Sequence, residues 1–264
     1  MTGAAARKRR VPVDFPILEF DASGKALIDP ATVVGKADVP RHCVVCFFRE
    51  VLDHVIAEHH ARLAWEGRWE DGAWQVYEIE RGGRRVAFFH PGVGAPAAAA
   101  KLDEAIALGC DTFIAAGGCG VLDSSLPVGH VILPHLAVRD EGTSYHYLAP
   151  GREVAPSARA LSALEEVLVR SGQPYVVGKT WTTDAPYRET PAKVARRKAE
   201  GCLAVEMEAA AFFAVAVFRQ VTFGQLLYAG DDVGGEEWDH RSWDRQPDIR
   251  ERLFWLAVEA CLSL

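Results

Sequence analysis

Nowhere in this chain of 264 residues does an apolar run reach the length of a membrane span. The most apolar stretch, residues 202–218, is interrupted by acids and falls short of the about 20 uninterrupted residues a bilayer crossing needs. Positive charge is scarce: Lys+Arg 29 against Asp+Glu 36 leaves −7, a poor partner for nucleic-acid phosphates or anionic lipid. The six cysteines, at 43, 46, 110, 119, 202 and 261, lie in apolar segments of a chain too large to need disulfide staples, which predicts reduced thiols in the cytoplasm. Cys43-Val-Val-Cys46 has the spacing of a metal knuckle, but no second pair follows. The Gly-x-Ser-x-Gly elbow, the His-Glu-x-x-His helix and the Asp ladder of a calcium loop are all missing, so neither a serine nucleophile nor a resident metal is expected.

Alternating strand and helix patterns are present instead. Residues 1–40, with the basic stretch 6–10, read as an arm and irregular lead-in; residues 41–264 read as one domain. Strands are expected at 43–48, 74–80, 85–90, 111–116, 130–138, 174–182 and 221–229, and helices at 49–60, 96–109, 156–171, 189–200, 208–219 and 248–262. Several strands are nearly continuously apolar, as a sheet covered on both faces requires. The fold class is therefore α/β, a single three-layer αβα domain around a central mixed, twisted sheet, with ligands expected where strands end at their carboxyl side.

Five segments there carry chemistry. Gly92-x-Gly94-x-x-Ala97 joins a strand to a helix; the dinucleotide fingerprint also needs an acid closing the next strand, whereas Asp111 opens it, so a tight turn facing a ligand is the simpler account. Gly117, Gly118 and Gly120 follow a buried strand, where bare backbone can receive an anion. In TWTTDAPYRET, 180–190, Trp181 and Tyr187 could sandwich a flat heteroaromatic ring. In CLAVEMEAAAFFAVA, 202–216, Glu208 falls at a helix start, where one carboxylate suits the helix dipole and a second suits vicinal hydroxyls over an adaptable Met207. Asp231 and Asp232 follow a buried strand, placed to give a proton to a leaving group.

In chain order, PGVGAP (91–96), TFIAAGGCGVL (112–122), LPVGHVILP (126–134), RDEGTSYHYLAP (139–150), TTDAPY (182–187), VEMEAAA (205–211) and AGDD (229–232) resemble the nucleoside phosphorylase superfamily of uridine phosphorylase, hexameric purine nucleoside phosphorylase and methylthioadenosine nucleosidase. The resemblance runs from about residue 43 to 262. It implies that Met207 and Glu208 hold the ribose with His146 nearby, that Trp181, Pro186 and Tyr187 wall the base, and that Asp231, with Asp232 in reserve, assists the departing base. It leaves Glu206 a structural role.

The implied reaction is phosphorolysis of a purine or pyrimidine nucleoside to free base and ribose 1-phosphate, in nucleoside metabolism and purine salvage. Its partners are the nucleoside and phosphate, with no nucleic acid or membrane and no cofactor beyond inorganic phosphate as co-substrate, in a homo-oligomer that is a dimer or a trimer of dimers. Departures from the pattern concern that phosphate. CFFREV stands where relatives carry a Gly-Asp-Pro-x-Arg loop, and Ala115 and Gly118 stand where they carry arginine and threonine. Arg49, Arg188 and the backbone at Gly117 and Gly118 are then the candidates for a rearranged phosphate site. Hydrolysis by water, or nucleoside binding without catalysis, are the alternatives.

Overall fold

The computed structural model describes residues 15–70 and 72–264; the basic stretch at 6–10 lies outside them. The lead-in is less irregular than expected: Pro16–Leu18 forms a single 3-10 turn, and Pro30–Val34 a short helix, α1, whose first turn is capped by Asp29 accepting from the Ala31 N–H at 2.9 Å. The body follows as β1 (His42–Cys46), α2 (Arg49–Glu58), β2 (Arg62–Trp69), β3 (Gly72–Arg81), β4 (Arg84–Phe89), α3 (Ala95–Ala107), β5 (Thr112–Val121) and β6 (Val131–Asp140). It continues with β7 (Glu153–Val154), α4 (Ala158–Ser171), β8 (Tyr175–Thr183), α5 (Pro191–Ala199), β9 (Cys202–Glu206), α6 (Ala209–Arg219), β10 (Thr222–Asp232) and α7 (Pro247–Ser263).

Alternation along the central strands builds two cores. Cys43 and Val45 of β1, Ala87 and Phe89 of β4, and Phe113 and Ala115 of β5 face α3 and α6. Val44 and Cys46, Val86 and Phe88, and Ile114 and Ala116 face α2, α4 and α7. Successive side chains of a strand point to opposite faces, so strands buried on both sides must be apolar at nearly every position, and these are. The result is the mixed α/β sheet flanked by helices that the sequence predicts.

The sheet is mixed because β2, β3 and β4 run as antiparallel neighbours, while β1 is parallel to both β4 and β5. Beyond β5 it curls: β5 pairs with β10, β10 with β6, β6 with β8, β8 with β9, and β9 returns to the carboxyl end of β5 through Gly120↔Val205. The expected loop at 117–120 is therefore strand, the last part of β5. Three strands escape the sequence pattern, among them the two-residue β7. β2 is a half-exposed edge strand carrying Arg, Glu and Gly, and β9 is the front of the apolar run at 202–216, where a short apolar segment has no readable period.

Aromatic packing fixes α6 on the sheet. Phe223 of β10 stacks on Phe212 with ring centres 4.9 Å apart and on Phe113 at 6.1 Å, and it meets Phe213 edge-on. All six cysteines are free and buried, and no described helix is long and apolar enough to cross a membrane. Because Phe223 is fully buried, Phe223→Ala should cost about 3–5 kcal/mol, read by chemical denaturation. Val217→Ala, on the exposed side of α6, should stay within about 0.5 kcal/mol of the parent.

Candidate active site

One large cavity, of about 1090 Å³, opens where the carboxyl ends of β1, β5, β9 and β10 meet the turn into α6 and the segment 233–243. Seven of the sequence-predicted residues line it: Gly117, Gly118, Pro186, Tyr187, Met207, Glu208 and Asp231.

The two glutamates of the apolar run divide their work. Glu206 ends β9 and is buried. Its Oε1 accepts from the hydroxyls of Thr182 at 2.6 Å and Thr180 at 3.3 Å; its Oε2 accepts from the N–H groups of Glu208 at 2.7 Å and Ala209 at 2.6 Å. Glu206 is thus the group that satisfies the first amides of α6 and meets its dipole. Glu208, at the position before α6, makes no cap of its own and turns to the cavity. There its Oε1 accepts from the Gly94 N–H at 2.6 Å. The β4–α3 turn presents that amide because Gly94 adopts φ 95°, a conformation that favours glycine. Burial, and then the Glu206 charge, push Glu208 up to about 8, against the pull of the Gly94 amide.

Asp231 lies near the end of β10. A Cβ at Gly120 would sit 3.5 Å from its Oδ1, and its Oδ2 accepts from the Trp238 indole N–H at 2.7 Å. A residue the sequence reading passed over joins it: Glu189, on the cavity wall, is raised to about 7 by burial first and by the Asp231 carboxylate second. Two interacting acids, one titrating near neutrality, can keep a proton at this end of the cavity. Cys119 also lines the cavity, but its thiol donates to the Tyr228 carbonyl at 3.2 Å and burial pushes it well above its ordinary range, which disfavours a thiolate nucleophile.

Five expected site residues do not line the cavity. Trp181 is fully buried, donates to Asp140 Oδ2 at 2.9 Å and packs with Val194 and Val205. Its neighbours Thr180 and Thr182 point at Glu206, so strand alternation turns the indole to the opposite face. The twin aspartates part at an irregularity in the pairing of β10 with β5, between Ala229 and Asp232. Asp232 turns away and is consumed by Arg241 at 2.6 Å, Ser124 at 3.1 Å and the Gly234 N–H at 2.8 Å. His146 is exposed on the 3-10 turn Thr143–His146. Arg49, at the first position of α2, and Arg188, after Tyr187, are both exposed and outside the cavity wall.

Further residues reach the cavity without any sequence signal. Arg250 comes from α7, where it sits within an ordinary amphipathic helix, and Gln225 comes from β10. Gln225 is buried, and its Oε1 has no hydrogen-bond partner among the described residues.

A sheet of this topology, with a paired glutamate at a helix start and an acid at the end of the last strand, defines a class. The chain belongs to the phosphorylase superfamily, whose family description matches residues 41–260. Among its relatives is the guanosine phosphorylase of Halorubrum lacusprofundi, 27% identical over 197 residues, covering 72% of this chain and 81% of that one. Among solved structures, uridine phosphorylase of Vibrio fischeri superposes with a TM-score of 0.73 at 19% identity, covering 86% of this chain and 94% of that one. AMP nucleosidase of Bacteroides thetaiotaomicron gives 0.69 at 22%, covering 84% and 87%.

The division between the glutamates has two measurable consequences. Glu206→Ala strands two amides and two threonine hydroxyls in the interior and should cost more than about 3 kcal/mol, whereas Glu208→Gln should fold at least as stably as the parent near neutral pH. Since the folded-state pKa of Glu208, about 8, lies above its unfolded value, native protein holds the proton more tightly. That contribution is complete below the unfolded value and is lost as pH rises through 8. Relative to Glu208→Gln, the parent should therefore lose stability between about pH 5 and 8 and level off above, as followed by melting temperature.

Proposed function

We propose that the protein is a nucleoside phosphorylase that cleaves the N-glycosidic bond of a purine ribonucleoside with inorganic phosphate, giving free base and ribose 1-phosphate. The observation that carries this reading is that Glu208 and Asp231, from two different strand ends, line one cavity with bare glycine backbone at its floor. The volume, about 1090 Å³, is at the upper end for small-molecule sites and has room for a nucleoside and an anion together.

Glu208 accepts hydrogen bonds from the vicinal hydroxyls of the ribose, with Met207 beneath the ring. Asp231, with Glu189 near it, bonds the imidazole nitrogen of the departing purine, so charge leaving with the base is stabilised as the bond stretches. Phosphate then meets an anomeric carbon of oxocarbenium character, held in place by the sugar and base contacts. Tyr187 and Pro186 cover the base from the rim. The Halorubrum relative's name, guanosine phosphorylase, and the carboxylic acids at the base end both support a purine. The reaction requires no cofactor, and the proposed protein is a cytoplasmic homo-oligomer acting in purine salvage.

Hydrolysis is a second reading, favoured by one observation: Arg49 and Arg188 lie outside the cavity wall, so neither expected cation reaches the place of the nucleophile. Base release from guanosine, inosine, adenosine and uridine, each with and without phosphate, separates the two. Phosphorolysis requires phosphate-dependent release and ribose 1-phosphate; equal rates without phosphate would make the protein a nucleosidase. Asp231→Asn should lower kcat about 10²–10⁴-fold, and Glu208→Ala should both raise the nucleoside KM and lower kcat. Unchanged kinetics in either variant would remove that residue from the mechanism.

A further inference from the structure

We infer that Arg250 is the phosphate-binding cation of this site, replacing the arginines that the β1–α2 loop and β5 do not supply; the inference rests on the phosphorylase reading and names its anion subsite. β5 is covered on one edge by β10. On its other edge β1 pairs as far as Cys46↔Ala116, and β9 begins only at Gly120↔Val205. Between those pairs lie Gly117, Gly118 and Cys119, whose backbone has no neighbouring strand on that side and lines the cavity. Gly118 is held to glycine by the Tyr228 ring, which an added Cβ would meet at 3.0 Å.

Past that ring the Tyr228 hydroxyl donates to the Trp243 carbonyl at 2.7 Å and accepts from Arg250 Nε at 3.0 Å. The guanidinium lies over the rings of Phe48, Tyr228 and Trp243, between 5.1 and 5.7 Å from their centres. These rings fix its plane and dry its surroundings, and its side chain is 11% exposed. Nη1 donates to Glu50 at 2.6 Å. Nη2 has no hydrogen bond among the described residues. Glu50 is half exposed, so this carboxylate can return to water and yield Nη1 to a stronger anion. A flat fork with two donors suits a phosphate.

Position along β5 gives the subsite its direction. Gly118 and Gly120 share one face of the strand and lie roughly 7 Å apart. Gly118 adjoins Tyr228 and Arg250, while Gly120 adjoins Asp231. A phosphate at the first and a purine imidazole nitrogen at the second leave room between them for the anomeric carbon, at an attack distance of roughly 3–3.5 Å from the phosphate oxygen.

The shared chemistry is a phosphoryl dianion, supplied by inorganic phosphate or carried on a nucleoside 5′-monophosphate. Binding of inorganic phosphate to the full-length protein is measured by calorimetry, and phosphate saturation curves are recorded at saturating guanosine. Arg250→Gln should raise the phosphate Kd and KM by ~10-fold or more, as expected for loss of a charge-assisted bond, with the guanosine KM changed less than ~2-fold. Arg250→Lys should recover part of the loss. Should Arg250→Gln fail to fold, Glu50→Gln decides, because freeing Nη1 should lower the phosphate Kd.

A folded Arg250→Gln with unchanged phosphate Kd, a Glu50→Gln that binds phosphate no better, or a parent that binds no phosphate overturns the assignment. Phosphate-independent base release in a parent that still binds phosphate through Arg250 defeats the phosphorylase reading and leaves the subsite standing. In that case, an Arg250→Gln effect confined to the KM of guanosine 5′-monophosphate makes the substrate's own phosphoryl group the occupant.

Discussion

The site depends on one buried carboxylate. Glu206 is surrounded by two threonine hydroxyls from β8 and two backbone amides from the start of α6. Thr182 closes the network by accepting from the Ala210 N–H at 2.9 Å while donating to Glu206. Taking a carboxylate out of water is costly unless every lone pair finds a donor, and here four donors converge. The network therefore fixes the register of β8 against β9 and the axis of α6 together. Glu208, two residues on, inherits its direction from that constraint and is steadied by the Gly94 amide of a different turn. Glu208 can move only as far as Glu206 allows.

The second constraint is topological. Because the sheet curls until β9 meets β5 again, the carboxyl ends of several strands converge on one opening instead of lying in a row. β5 reaches that opening as bare backbone because it carries glycine at 117, 118 and 120. Side chains there would collide with the rings of Phe47 and Tyr228, or with Val205. The glycines read from sequence as bare backbone after a buried strand are the last part of that strand, and their lack of side chains serves access more than turning.

How much of this was legible follows from which physical rule each residue obeys. The strands buried on both faces declare themselves by continuous apolar sequence, and Glu208 and Asp231 declare themselves as polar groups where such segments end, with Met207 beside the first. Alternation along β8 also separates Trp181 from the Thr180 and Thr182 pair, whereas Asp231 and Asp232 part at an irregularity of β10 that no period announces. β9 was hidden because four apolar residues and a glutamate, followed closely by an alanine-rich helix, carry no period of their own. Arg250 was out of reach. It occupies an ordinary polar position of α7, and only the packing of that helix beside β10 carries it to Gly118, more than a hundred residues away in the chain.

The distribution of charge around the cavity explains why the cation comes from so far. Glu206, Glu208, Glu189 and Asp231 all line it, and the burial that lifts Glu189 and Glu208 toward neutrality shows that the region already disfavours negative charge. A phosphate dianion admitted among these acids would raise their proton affinities further and be repelled in turn. Lys198, on the same wall, is engaged with the Gly234 carbonyl at 3.0 Å. A cation placed beside Asp231 would pair with it and lose its attraction for an anion. Charge of opposite sign must therefore stand at separate positions along β5, and the sheet meets that requirement with α7, packed on the face where Tyr228 points. Glu189 and Asp231 stand toward Gly120, and the guanidinium stands behind the Tyr228 ring beside Gly118.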